Sequence, residues 1–147
     1  MTIQDNIDKV TAGFAAVNRR DNPAFVALLE PDFKLFLIVK PERLMPQGQV
    51  SGPEGFAKYL EMLYIAFSDV VFNQQSITAN GNMVYQQLVV RGKHTGPLTL
   101  PNGITLPPTK LKVNLPTEVF HTFNDHGGFV SSTGYANLMD IMKQLKG

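Results

Sequence analysis

Apolar residues along this chain repeat first at a helical period, then in strand-like runs and alternation, and at the end at a helical period again. Ile3, Ile7, Val10, Phe14 and Val17 fall on one face of a first helix, with Thr2 placed to cap it, and a stripe of this kind faces a core. Asn22-Pro23 restarts the chain, Asn as the cap and Pro at the first helical position, and Phe25, Val26, Leu28 and Leu29 give a second, short helix that stops at Pro31. Residues 33–39 (FKLFLIV) are too few for a globular helix and rich in strand formers, which predicts a buried strand. Residues 41–52, polar and rich in Pro and Gly, read as a loop or a short irregular hairpin. Ser51-Gly52-Pro53 then opens a third helix with Phe56, Leu60, Leu63 and Phe67 on one stripe, widened by Tyr59, Met62 and Ile65.

From Val70 onward the pattern is one of strands. Residues 70–79 and 83–93 flank Asn80-Gly81, a hairpin signal because both residues tolerate positive φ. A proline-rich excursion follows Arg91 and returns as strands over 112–123 and 129–136, joined through the turn residues 124–128. Leu138, Ile141, Met142 and Leu145 then predict a terminal helix of one or two turns. Helices first and an antiparallel meander afterwards predict one α+β domain over residues 1–147. Its helices lie against one face of a strongly curved sheet, and the space between them is a conical cavity of the kind small ligands occupy.

Composition narrows the function classes. Thirteen Lys and Arg against twelve Asp and Glu leave a formal net charge of +1, with no basic run beyond Arg19-Arg20, so neither nucleic acid nor a membrane surface is an expected partner. No cysteine is present, which removes disulfides, thiolate nucleophiles and Cys-ligated metal sites and fits a cytoplasmic protein. The first twenty residues lack the apolar core of a signal peptide, and no apolar run has the roughly 18–20 residues of a membrane span. The three histidines have no metal-ligand spacing, and there is neither a G-x-S-x-G elbow nor a phosphate-binding glycine loop.

Four segments in order carry a family resemblance: GPEGFAKYLEMLYIAFSD at 52–69, RGKHTGPL at 91–98, PPT at 107–109 and the terminal QLKG. The first is similar to a glycine-led helix ending in an Ala-Phe-x-Asp turn, the second to a Gly-x-His-Thr-Gly segment, and the third to a Pro-Pro-Thr-Gly in which Lys110 replaces the glycine. Together they resemble the SnoaL-like polyketide cyclases of the nuclear transport factor 2-like superfamily. The resemblance implies a cone-shaped curved antiparallel sheet packed on three helices from the N-terminal half, no cofactor, and a common dimeric state, so a homodimer is expected. It also implies aldol ring closure or isomerisation of a small apolar carbonyl compound, or a binding module that has lost the reaction.

Aldol chemistry needs a base for a proton on carbon and a donor for the enolate oxygen. In the family a Trp precedes an acidic Asp by four residues, and that Asp precedes the terminal Gln by seven. Counted back from Gln144, the Asp position is Asn137 and the Trp position Thr133. Asn137 orients a carbonyl but takes no proton at neutral pH, and a register slip of three would instead present Asp140. Of the other acids only Glu118 lies mid-strand between apolar neighbours. It is a replacement base, an outward-facing strand residue or half of an ion pair with Arg91. His94, in the family motif, is either a proton carrier or a turn histidine bonded to backbone. His121, three residues beyond Glu118, falls on the opposite face of its strand. The expected pocket thus has His94 and Glu118 as catalytic groups and Asn137, Tyr59, Arg91 and Thr133 as ligand contacts, without a metal.

Overall fold

A computed structural model describes residues 3–40, 48–99 and 105–146. Helix α1 (Ile3–Asn18) buries Asn6, Val10, Gly13, Ala16 and Val17, while Ile3 is 48% exposed, so the apolar stripe starts a turn later than its spacing suggests. The small residues have a packing reason: a Cβ on Gly13 would lie 3.2 Å from the Phe25 ring. Thr2 lies outside the described residues. Helix α2 (Asn22–Val26) is capped by Asp21, whose carboxylate accepts from the Ala24 amide at 3.3 Å. Asn22 is therefore inside the helix, and its Oδ1 accepts from the Tyr64 hydroxyl at 2.6 Å.

The second helix is shorter than its apolar residues predict because Leu29 already begins strand β1 (Leu29–Lys40). Pro31 does not stop that strand: it falls where the ladder to strand β8 (Phe129–Asn137) is interrupted between Leu29 and Lys34, so its missing N–H leaves no bond unmade. Glu30 and Asp32 consequently belong to a strand. The segment read as loop or hairpin contains strand β2 (Gly48–Ser51), antiparallel to β1. Helix α3 (Gly52–Ala66) buries Phe56, Leu60 and Ala66, whereas Ile65 is 60% exposed and does not widen the core stripe.

Strands β3 (Val71–Asn80) and β4 (Met83–Lys93) form the expected hairpin, but its turn is Gly81-Asn82, one residue later than predicted. Gly81 takes the first central position at φ 60°, as in a type II′ turn, where only glycine is free of strain. The excursion after β4 carries two short paired strands, β5 (Leu98–Thr99) and β6 (Thr105–Leu106), before β7 (Lys112–Phe123).

The main sheet runs β2-β1-β8-β7-β4-β3 and does not close. All its pairings are antiparallel except β1 with β8, which is parallel and corrects the all-antiparallel expectation. Ladder irregularities at Leu29/Lys34, Gln74/Ser76 and Thr122/Phe123 supply the local bends that curve it. On the inner face a chain of rings links helices to sheet: Phe25–Phe56 at 4.9 Å, Phe33–Phe129 at 5.4 Å and Phe123–Phe129 at 4.6 Å between centroids. Each buried ring contributes about 1.5–3 kcal/mol. Asn18 ties α1 to β3 by accepting from the Phe72 amide and donating to its carbonyl. Helix α4 (Leu138–Lys146) follows β8 directly.

Candidate functional site

Between the helices and the inner face lies a cavity of about 600 Å³. Alternation along the strands decides its walls: Leu88 and Val90 from β4, Val113 to His121 at every second position of β7, and Ser132 and Gly134 from β8 point inward. Phe14 of α1, Tyr59 and Leu63 of α3 and Ile141 of α4 cover them. The wall is mainly apolar. Gln49, Arg91 and Thr99 are exposed and mark its outer margin, and among the described residues no Asp or Glu lines it.

Two polar features face this apolar space. Tyr59 is half-buried there, and its hydroxyl has no hydrogen-bond partner among the described residues. Desolvation raises its pKa to about 12, so it stays protonated at any ordinary pH and remains a donor. The second feature is a chain of side chains from four neighbouring strands. Ser132 Oγ lies 2.7 Å from His121 Nδ1, His121 Nε2 lies 2.9 Å from Gln86 Oε1, and Gln86 Nε2 donates to Gln74 Oε1 at 2.9 Å. Gln86, His121 and Ser132 are all buried. Burial lowers the His121 pKa to about 3, so the ring is neutral. Phe14 and Phe129 hold it at 5.9 and 5.3 Å between centroids. No group of three His, Asp or Glu side chains among the described residues could hold a metal ion.

The model of the SnoaL-like domain family matches residues 10–131. The chain belongs to the SnoaL-like family. No curated protein matches it in sequence. Among solved structures, a candidate polyketide cyclase from Xanthomonas campestris pv. campestris is 26% identical, with a TM-score of 0.77 over 97% of this chain and 98% of its own. A candidate SnoaL-like polyketide cyclase from Jannaschia sp. CCS1 is 19% identical, with a TM-score of 0.80 over 100% and 96%. IdmH from Streptomyces antibioticus, also a candidate polyketide cyclase, is 21% identical, with a TM-score of 0.75 over 97% and 99%. The last two show the fold alone.

The SnoaL-like motifs have structural work here. His94 is fully buried and does not line the cavity: Nδ1 accepts from the Thr109 amide at 3.3 Å and lies 3.1 Å from its hydroxyl, while the ring packs 5.3 Å from Phe67. Burial lowers its pKa, partly opposed by the Gly96 backbone. Its neighbours Thr95 and Gly96 donate their amides to the Ala66 carbonyl and close the end of α3. A Cβ on Gly96 would lie 2.0 Å from the Ile65 carbonyl oxygen, so that position requires glycine. The family histidine thus takes the turn role, clamping the Pro-Pro-Thr segment to α3. Lys110, where the family pattern has glycine, sits at φ 61°, in the left-handed region.

The other anticipated residues separate by face. Glu118 is exposed on the outer face, opposite Gln87 and Tyr135 in register. It does not pair with Arg91, which stands opposite Asn114. Thr133 is opposite Phe120 and Phe36, also on the outer side. Asn137, exposed at the end of β8, accepts from the Asp140 amide at 3.0 Å and so caps α4; Asp140 itself lies in the first turn of that helix. Arg91 only borders the cavity, and of the anticipated contacts Tyr59 alone stands well inside it. Glu118 and Asn137 line an open outer groove and Thr133 lies on the same side of the sheet, outside the cone, because strand alternation turns all three away from the helices. His121 and Ser132 were missed as site residues, although the opposition of His121 to Glu118 was legible; Gln86 gave no local signal.

Proposed function

We propose that this SnoaL-like protein takes a small apolar carbonyl compound, polyketide-like or steroid-like, into the cone and holds its carbonyl by the Tyr59 hydroxyl. The observation that carries this reading is a donor without a partner among the described residues in a mainly apolar wall. A hydroxyl that a ligand cuts off from water without pairing costs about 1–3 kcal/mol, which a ligand carbonyl at hydrogen-bond distance offsets. The volume of about 600 Å³ is in the range of small-molecule sites. With no carboxylate in the described wall and a His121 that burial holds neutral, binding and orientation are favoured over proton abstraction.

A second reading, cofactor-independent aldol cyclisation or isomerisation, is supported by the cyclase relatives and by Tyr59 itself. A hydroxyl fixed at a ligand carbonyl would stabilise the enolate oxygen. The homodimer expected from the sequence is part of the proposal through the outer face, where Tyr85, Phe120 and Tyr135 pack as a row and Met83 is 44% exposed. Light scattering on the purified protein tests it.

The test of the site is a panel of polyketide-like and steroid-like ketones offered to wild type and Tyr59→Phe, with binding by calorimetry and turnover by product analysis. Binding that weakens about tenfold in the variant, equivalent to about 1.4 kcal/mol, supports the reading. Equal binding by both proteins, or no ketone bound by wild type, overturns it. Product formation by wild type establishes the catalytic reading over the module.

A further inference from the structure

The hydrogen-bond chain behind the cavity has a direction, and the direction selects a ligand. It starts at Gln74, at the sheet edge, whose Oε1 accepts from Gln86 Nε2 at 2.9 Å. With its amide nitrogen committed there, Gln86 turns its oxygen toward His121, and an amide oxygen only accepts. His121 Nε2, 2.9 Å away, therefore carries the ring proton, which leaves Nδ1 with a lone pair. Ser132 Oγ, 2.7 Å from Nδ1, must then donate its own hydrogen to the ring. What remains of Ser132 on the cavity side is acceptor capacity.

We infer that Ser132 Oγ is a ligand anchor that accepts a hydrogen bond from a ligand hydroxyl, so that the preferred occupant is an apolar hydroxyketone. This rests on the reading of the cone as a carbonyl-compound site and deepens it: Tyr59 is a donor and takes the carbonyl, and Ser132 is an acceptor and takes the hydroxyl. Both line the same cavity. The ring of His121 is wedged between Phe14 and Phe129 and buried with Gln86, so the chain is held by packing as well as by its hydrogen bonds. A ligand with a carbonyl alone leaves the Ser132 acceptor bare in an apolar wall. One with an ether at that end sets two acceptors against each other. A hydroxyl satisfies both partners.

Two matched series test it, differing in the distance between their polar ends: estrone with its deoxy analogue and its methyl ether, and hydroxytetralone with tetralone and methoxytetralone. Affinities are measured by calorimetry on wild type, Ser132→Ala and Tyr59→Phe. In at least one series the hydroxyketone binds wild type about tenfold tighter than either analogue, and Ser132→Ala reduces that preference to about twofold or less while ketone binding persists. Equal affinity across both series, preference for the ether, or a hydroxyl preference that survives Ser132→Ala overturns the inference and leaves the carbonyl reading standing. Failure of every ketone to bind wild type overturns both. Independently of any ligand and of how the variants fold, proton–nitrogen NMR of the wild-type histidine rings is expected to show His121 protonated at Nε2. A proton at Nδ1 reverses the chain and overturns the assignment.

Discussion

Glu118 and His121 stand three positions apart on β7 and face opposite sides of the sheet. Glu118 is exposed beside Gln87 and Tyr135, while His121 is buried against the cavity between Gln86 and Ser132. Glu118→Gln is accordingly expected to bind ketones within about twofold of wild type and to change stability by less than about 0.5 kcal/mol, as surface substitutions do. Calorimetry and urea unfolding check both; a tenfold loss of affinity would return Glu118 to the site.

His121 makes stability depend on pH with a definite sign. Burial lowers its folded pKa to about 3, against about 6.5 in the unfolded chain, so below about pH 6.5 the unfolded state binds a proton that the folded state refuses. Its contribution is complete above that pH and is lost as the pH falls toward the folded value, with a slope of at most about 1.4 kcal/mol per pH unit. His121→Gln is expected to be less stable than wild type at pH 7 by about 1–3 kcal/mol and to lose stability less steeply from pH 6 to pH 4. Urea titrations at several pH values measure the difference, and parallel curves would contradict it.

His94 acts as a clamp. Its ring packs on Phe67 and its Nδ1 serves Thr109, so His94→Ala removes a buried side chain and leaves the Thr109 amide without that partner. A loss of about 2–4 kcal/mol is expected, with ketone affinity of the folded protein unchanged. Denaturant unfolding combined with calorimetry separates the two effects, and impaired binding at full folding would make His94 a ligand contact.

Lys110 holds a left-handed conformation at φ 61° where the family pattern has glycine. A non-glycine residue there costs about 1–2 kcal/mol, part of which glycine loses again through its freer unfolded state. Lys110→Gly is expected to stabilise the protein by about 0.5–1 kcal/mol, read as a higher urea midpoint at an unchanged slope. A lower midpoint would show that the lysine side chain has a compensating contact.

The elements and their order are legible in the chain, because hydrophobic period is a local property: α1, α3, α4 and the long strands lie close to where Val10, Leu60, Leu145 and the alternating runs predict them. The family motifs were equally legible, and so was the opposition of Glu118 to His121. Which of that pair faces the cone was not, since alternation is symmetric between faces and β7 carries apolar residues on both, Val119 inward and Phe120 outward. The choice is made by long-range packing, which lays α1 and α3 over one side of the curved sheet. That packing also decides the parallel docking of β1 on β8 and the meeting of Gln86, His121 and Ser132 from three strands, since contacts between residues far apart in sequence leave no trace in local periodicity. Local steric rules fixed what each segment could be; long-range packing chose which of its two faces became the site.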